Sequence, residues 1–288
     1  MVEVLSFEND LSRLIDQDIE IDPEIKKYFE FECYKKNHDK EKVFSLSLFN
    51  KDVDQQEGEA KDNKNFENKY LKSLKKLIPL INKTYYGINL FCEDRYKNIF
   101  NDKNINVYSF RNSYGALGSL WRFLSVDMVE ESIICDIDLD DINIHKLFFN
   151  QNESCRSLDQ GKNNFYVDKE KTSKKYSPII ASHIKLLSSN INFNMKNMIL
   201  KFLTYQKNNN LSKIERQNIY NKPIGDYRFG FGNNWLNYGI DERFLGKIIY
   251  FYLVKKGKLT TIYKNYGNKE NTEDLNFCLL YKNKILLL

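Results

Sequence analysis

Ser132-Ile-Ile-Cys-Asp-Ile-Asp-Leu-Asp-Asp141 is the stretch that decides how this 288-residue chain is read. An apolar run from Ile133 to Cys135 passes directly into Asp136, Asp138, Asp140 and Asp141. Side chains on a strand alternate between faces, so acids two residues apart point the same way. Carboxylates this close repel unless a metal ion or a cationic side chain neutralises them. The spacing predicts a buried strand over residues 132–137 that delivers an acidic cluster to its C-terminal end.

Upstream, residues 43–49 are apolar or small on both faces, as expected of a buried parallel strand. Residues 85–91 and 107–110 supply two more strands. Helical spacing is carried by Phe66, Tyr70, Leu74, Leu77, Ile78 and Ile81, with Pro79 expected to kink or end that helix. Residues 94–100 and 116–124 are also helical. Strands alternating with helices predict an α/β fold: one mixed, mainly parallel sheet flanked by helices, with right-handed crossovers. Ligands bind such sheets beyond the carboxyl ends of the strands, where the acidic cluster lies.

Residues 1–40 read as a helical N-terminal extension. Asp22, Pro23 and Glu24 form an N-cap, a first-turn proline and an acidic first turn, and Ile25, Tyr28, Phe29 and Cys33 follow at helical spacing. Residues 41–288 then form one domain, with a first half over about 41–145 and a second half over about 146–288. In the second half, 150–175 is polar and reads as a loop, 177–183 as a strand ending in His183, and 195–205 and 241–255 as helices. Glycines and aromatics mix over 227–238, as in loops that approach a ligand. The polar run 50–64 reads as a loop.

Hydrophobic residues at 42% and aromatics at 14% supply a core and exclude a disordered chain. The net charge of +5 is too small on this length to argue for nucleic acid. Five widely spaced cysteines show neither a CxxC pair nor zinc spacing, so reduced thiols are expected. The first residues lack a basic and then apolar leader, and the longest apolar stretch, 248–254, is too short to span a bilayer. A cytoplasmic location follows, host cytoplasm for a viral chain, with no signal peptide and no transmembrane segment.

Four chemistries compete for the acidic cluster. A calcium loop would start at Asp136 but needs Gly where Asp141 stands and Glu where Leu147 stands. A phosphatase with an Asp nucleophile wants Thr or Val where Asp140 stands, on a first strand rather than a fourth. A solvated acidic turn remains open. The fourth is the metal site of a sugar transferase, in which Mn²⁺ or Mg²⁺ held by carboxylates offsets charge on a departing pyrophosphate.

The order of these segments resembles the GT-A class of nucleotide-sugar glycosyltransferases. It is most similar to bacterial and viral-type capsular or glycan-assembly enzymes. The likeness runs over residues 43–260: the strand 43–49, Lys69-Tyr70 and their helix, the strand at 86–91, Gly118-Ser-Leu-Trp-Arg-Phe-Leu124, and Asp136-Ile-Asp138 in the DxD place. It ends with Tyr238-Gly-Ile-Asp-Glu-Arg-Phe-Leu245 at an acceptor-side helix start. The resemblance implies a metal-dependent hexosyltransferase moving a sugar from a UDP-sugar donor to a hydroxyl of a glycan or protein. Asp136 and Asp138 would hold Mn²⁺ or Mg²⁺, with Asp140 auxiliary. Ser45, Ser47, Phe49 and Tyr70 would lie against the nucleotide. Arg122 would bind donor phosphates or brace the acidic cluster. Asp241 or Glu242 would deprotonate the acceptor hydroxyl, and Trp235 and Tyr238 would form an apolar sugar platform. With His38, His145 and His183 the only histidines, a C-terminal His ligand is missing from the pattern. The reading from a different class is a nucleic-acid-binding or interaction module with a basic, Tyr-rich surface. Four carboxylates at the expected crevice argue against it.

Overall fold

The computed structural model describes residues 11–49, 70–137, 148–159, 184–209, 240–264 and 284–287. Among these residues nine strands form one sheet: β1 (Phe31–Lys35), β2 (Lys42–Leu48), β3 (Gly87–Glu93), β4 (Ile105–Phe110), β5 (Glu131–Ile134), β6 (Ser154–Asp159), β7 (Ile184–Leu187), β8 (Leu259–Lys264) and β9 (Lys284–Leu287). Their order is β1-β4-β3-β2-β5-β7-β6-β8-β9. β1 runs antiparallel to β4, and β7 antiparallel to β5 and β6; the remaining pairs are parallel. The fold is α/β, with a mixed, mainly parallel sheet flanked by helices. From β2 the chain steps outward through β3 to β4, then returns to place β5 on the other side of β2. The C-terminal ends of β2 and β5 therefore flank a topological switch point, where connections leave in opposite directions and a crevice opens.

The helices are α1 (Pro23–Lys26), α2 (Lys72–Ile81), α3 (Gly118–Trp121), α4 (Met195–Asn209), α5 (Ile240–Phe244) and α6 (Tyr250–Lys255). A 3-10 turn, Arg122–Asp127, continues α3, and a π turn, Leu245–Ile249, joins α5 to α6 into one helical path. That path ends in a Schellman arrangement: Gly257 has φ +63°, its N–H donates to Val254 O (2.9 Å), and Lys258 N–H donates to Leu253 O (2.8 Å).

The alternation of β2 and β5 sorts their side chains into two cores. Phe44, Leu46, Leu48, Ile133, Cys135 and Ile137 pack with Leu74, Leu77, Ile78 and Ile81 of α2. On the other face Ile134 joins the larger cluster with Leu120, Trp121, Phe123, Phe202 and Phe244. Ser45 and Ser47, both buried, occupy this second face of β2. Their small side chains let α3 and its 3-10 turn lie close to the strand.

Several expectations shift. Residues 31–35 form an edge strand rather than more helix. The helical spacing is real for Ile25 and Phe29, both buried, and coincidental at Cys33, which is exposed. Phe31 instead lies against Phe91, Tyr108 and Phe110. Pro79 lies inside α2, which runs on to Ile81: the proline forgoes one N–H bond to the preceding turn without ending the helix. The polar stretch 150–175 contains β6, whose Cys155 and Arg156 are fully buried. β8 was not anticipated. The run 50–64, the expected strand 177–183 and the Gly-aromatic stretch 227–238 lie outside the described residues.

Two polar anchors hold the periphery. Lys185 of β7, 1% exposed, sits 3.0 Å from Glu131 Oε1 and donates to the carbonyls of Phe148 (3.0 Å) and Gln151 (2.6 Å). Glu131 also accepts from the Tyr86 hydroxyl, whose proton affinity is raised first by burial and then by this bond. Asp22 caps α1 by accepting from Glu24 N–H (2.8 Å) and pairs with Lys207 on α4. Lys207 holds the Asp22 carboxyl below its ordinary 3.8.

Replacing Lys185 by Met should cost about 3–5 kcal/mol in chemical denaturation, because Glu131 stays buried with its charge less compensated. The Lys185→Met/Glu131→Gln double variant should recover part of that loss. Because its folded value is depressed, Asp22 stabilises the protein above the unfolded carboxylate range, and this contribution fades as pH falls through the folded value. Asp22→Ala should therefore lower stability by about 1 kcal/mol at neutral pH, with the gap closing below about pH 4.

Candidate functional site

Arg122 is the first residue of the 3-10 turn after α3 and is only 3% exposed. Helical continuation from Gly118 aims its side chain at the C-terminal end of β5. A Cβ at Gly118 would overlap the Phe49 ring, so glycine is what allows α3 to sit over the end of β2. Beside it Trp121 stacks on Phe110 at 4.0 Å and donates from Nε1 to Tyr28 O (3.0 Å), which makes it part of the core. The Arg122 carbonyl accepts from Ser45 Oγ at 2.5 Å. β2 thus holds the backbone of the turn while the guanidinium reaches forward.

Two carboxylates receive that guanidinium. Nη1 donates to Asp136 Oδ1, and Nη2 to Asp241 Oδ2. Asp136 lies just past β5, where the ladder continues for one more bond, Cys135 N–H to Ser45 O at 3.3 Å. Alternation sends Ile133, Cys135 and Ile137 to the α2 core, so Asp136 falls on the Arg122 face. Asp241 stands in the first turn of α5, where the helix dipole favours a negative charge. Their exposures differ: the Asp136 side chain is 41% exposed and that of Asp241 13%. Burial works against the charge on Arg122, yet Asp136 and Asp241 together raise its proton affinity above the ordinary range. Its buried Nε has no hydrogen-bond partner among the described residues.

Arg122, Asp136 and Asp241, which the sequence analysis drew from both halves of the chain, are therefore brought together. Ser45 is fully buried and committed to the Arg122 carbonyl, so it supports the turn and does not face a ligand. Ser47 is 4% exposed on the same strand face. Phe49 is half-buried against Trp121, with rings 6.2 Å apart. Tyr70 is not brought to this cluster. It packs with the α2 core, because its helical spacing continues the stripe of Leu74 and Leu77. Glu242 has its backbone in α5. Asp138, Asp140, His183, Trp235 and Tyr238 lie outside the described residues. Among those described, no three His, Cys, Asp or Glu side chains gather closely enough to hold a metal ion.

Asp127 is a functional support that the sequence reading passed over. Its carboxylate accepts from the N–H groups of Met195 (2.7 Å) and Lys196 (3.0 Å), which ties the end of the Arg122 turn to the start of α4. An acid at the end of one short helix was the available signal, but its partner lies 68 residues away. The four described cysteines are free thiols. Burial pushes Cys92 up to about 12 and also raises Cys135 and Cys155, which leaves them inert as nucleophiles. No described helix is long and apolar enough to cross a membrane.

Comparison with protein-family models, with curated proteins and with solved structures finds no match to this chain.

The arrangement has a clear electrostatic consequence. One guanidinium thus offsets part of the charge of the two carboxylates it bridges. Of the three carboxylates expected to hold a metal, Asp136 is the one among the described residues, it is paired with Arg122, and it forms no metal-holding group with the other described residues. Arg122→Met should destabilise the protein by about 3–5 kcal/mol, since two carboxylates lose their shared counter-charge. In a double-mutant cycle, Arg122→Met and Asp241→Asn together should cost less than the sum of the single changes. Additive losses would mean that the two residues do not interact in solution.

Proposed function

We propose that this chain is a metal-dependent glycosyltransferase of GT-A type, moving a hexose from a UDP-sugar donor to a hydroxyl of a glycan or protein. The observation that carries this reading is the Arg122 fork. It joins Asp136, at the end of the β5 strand beside the switch point, to Asp241 at the start of the α5 helix.

A sugar transfer needs two sets of groups facing one crevice. The donor side must hold a diphosphate that leaves with growing negative charge. The acceptor side must orient a hydroxyl and take its proton. Asp136, with Asp138 and Asp140 following it in sequence, would supply the donor-side carboxylates for Mn²⁺ or Mg²⁺. When bound, that cation supplies Lewis-acid stabilisation of the leaving diphosphate. Arg122 keeps Asp136 oriented and adds a positive charge near the same oxygens. Asp241 gives Oδ2 to Arg122, which leaves Oδ1 to accept the proton of an acceptor hydroxyl within hydrogen-bond reach. Glu242, the next residue, is the second candidate for that proton. Phe49 and Ser47, at the end of β2, would be the residues nearest a nucleotide base.

Thermal unfolding with UDP tests the reading. UDP at about a hundred times its Kd, with Mn²⁺ present, should stabilise the protein by about 2.7 kcal/mol. The shift should disappear with EDTA and in Asp138→Asn. An equal shift with EDTA present would remove the metal from the account. Steep salt-dependent binding to oligonucleotides, with no response to UDP, would replace it with the nucleic-acid reading.

A further inference from the structure

The turn from β1 to β2 carries a half-buried histidine whose hydrogen bonds admit one protonation state. His38 Nε2 lies 3.2 Å from the Ile88 carbonyl, which can only accept, so Nε2 carries the ring proton. Nδ1 lies 3.2 Å from the Lys40 N–H, which can only donate, so Nδ1 keeps its lone pair. A second donor, Asn106 Nδ2, stands 3.4 Å from the same atom. The orientation of that amide is set, because Asn106 Oδ1 accepts from the N–H groups of Asn37 (2.8 Å) and His38 (3.1 Å). A proton on Nδ1 would therefore meet two donors. The ring is also wedged over Gly87: a Cβ there would stand 2.5 Å from it, which closes movement toward the sheet. We propose that His38 is an acid-sensitive latch on the edge of the sheet: protonation at Nδ1 breaks its bond from the Lys40 N–H and releases the turn and β1. The proposal is independent of the glycosyltransferase reading.

β1 depends on this turn. It is the outermost strand and, among the described residues, pairs with β4 alone. Its register shifts between Cys33 and Lys35, so the ladder is already irregular where the turn begins. Beyond that point side chains hold the backbone. Asn37 Nδ2 donates to the carbonyls of Asp102 and Ile105, both at 2.8 Å, and Asn106 Nδ2 donates to His38 O at 3.1 Å. The charges acting on the ring come from its own turn. Lys40, whose ammonium donates to Tyr86 O at 3.0 Å, and Lys36 oppose a second proton. Asp39 favours it, but is exposed and paired with Lys36 at 2.5 Å. β3 and β4 present Gly87, Ile88 and Asn106 to the ring, none of them charged. Burial is the largest influence and holds the imidazole below its ordinary 6.5. The folded chain therefore favours the neutral ring. That contribution to stability is present above the unfolded value of about 6.5 and is lost as pH falls through the folded one. The consequence reaches the candidate site, because Phe31 of β1 lies against Phe110, which stacks on Trp121, the residue before Arg122.

Hydrogen exchange of the full chain tests the latch, read by mass spectrometry at about pH 7.5 and about pH 5 and corrected for intrinsic exchange rates. Amides of residues 31–41 should open roughly tenfold more often at the lower pH, because the opened turn takes a proton that the closed turn refuses. β5 and β7 should keep their protection. His38→Gln retains a donor for the Ile88 carbonyl but cannot titrate, so its exchange over 31–41 should not respond to pH. Equal protection of 31–41 at both pH values in the wild type overturns the proposal, as does the same response in His38→Gln. A rise shared equally by β5 and β7 would mean general acid destabilisation and overturns it as well. Should His38→Gln not fold, the ¹⁵N resonances of the His38 ring in the wild type decide. The expected result is a proton on Nε2 alone at neutral pH, with titration below the ordinary histidine range. The Nδ1-protonated tautomer, or a midpoint at or above that range, overturns the proposal.

Discussion

One buried positive charge organises the candidate site. Arg122 has lost nearly all contact with water, which for an ion costs several kcal/mol even after relaxation. The cost is offset because each terminal nitrogen meets its own carboxylate in a charge-assisted hydrogen bond. Those carboxylates come from the end of a central strand and the start of a late helix, 105 residues apart in numbering terms between Asp136 and Asp241. The ion therefore does topological work. It fixes the distance between the strand that would face a donor and the helix that would face an acceptor.

The surrounding architecture serves that placement. Parallel strands that step away from β2 and then return as β5 open the crevice. Serines on one face of β2 and Gly118 on α3 bring the Arg122 turn close to the sheet, where Ser45 holds its carbonyl. Asp127 ties the far end of the turn to α4. On the opposite face, Lys185 anchors the backbone at Phe148 through its carbonyl. The turn is thus held at both ends, which confines adjustment to the guanidinium and its carboxylates.

Much of this was legible in the sequence because it follows simple periodicities. Runs that are apolar or small on both faces identified the central parallel strands, and an apolar stripe identified α2. Acids at the end of an apolar strand are costly unless paired, which is why Asp136 stood out, while Arg122 and Asp241 entered through the resemblance. Long-range partners were not legible. Ser45 looked like a ligand contact because nothing local reveals a carbonyl 77 residues ahead. β1 was hidden by the accidental continuation of a helical spacing to Cys33. Tyr70 could be placed on a helix but not on a face of the sheet. Lys185 carried a usable signal, a lone charge in Ile-Lys-Leu-Leu, whose meaning depends on Glu131 in a neighbouring strand.

The most direct test of the bridging ion is nuclear magnetic resonance of the Arg122 side chain in protein labelled with ¹⁵N at arginine. With Nη1 and Nη2 bound to different carboxylates, rotation of the guanidinium is arrested, and the account predicts separate, slowly exchanging Nη signals for Arg122. In Asp241→Asn they should move toward one averaged signal. A single averaged, rapidly exchanging signal in the wild type would contradict the account, because Arg122 would then not be holding Asp136 and Asp241 together.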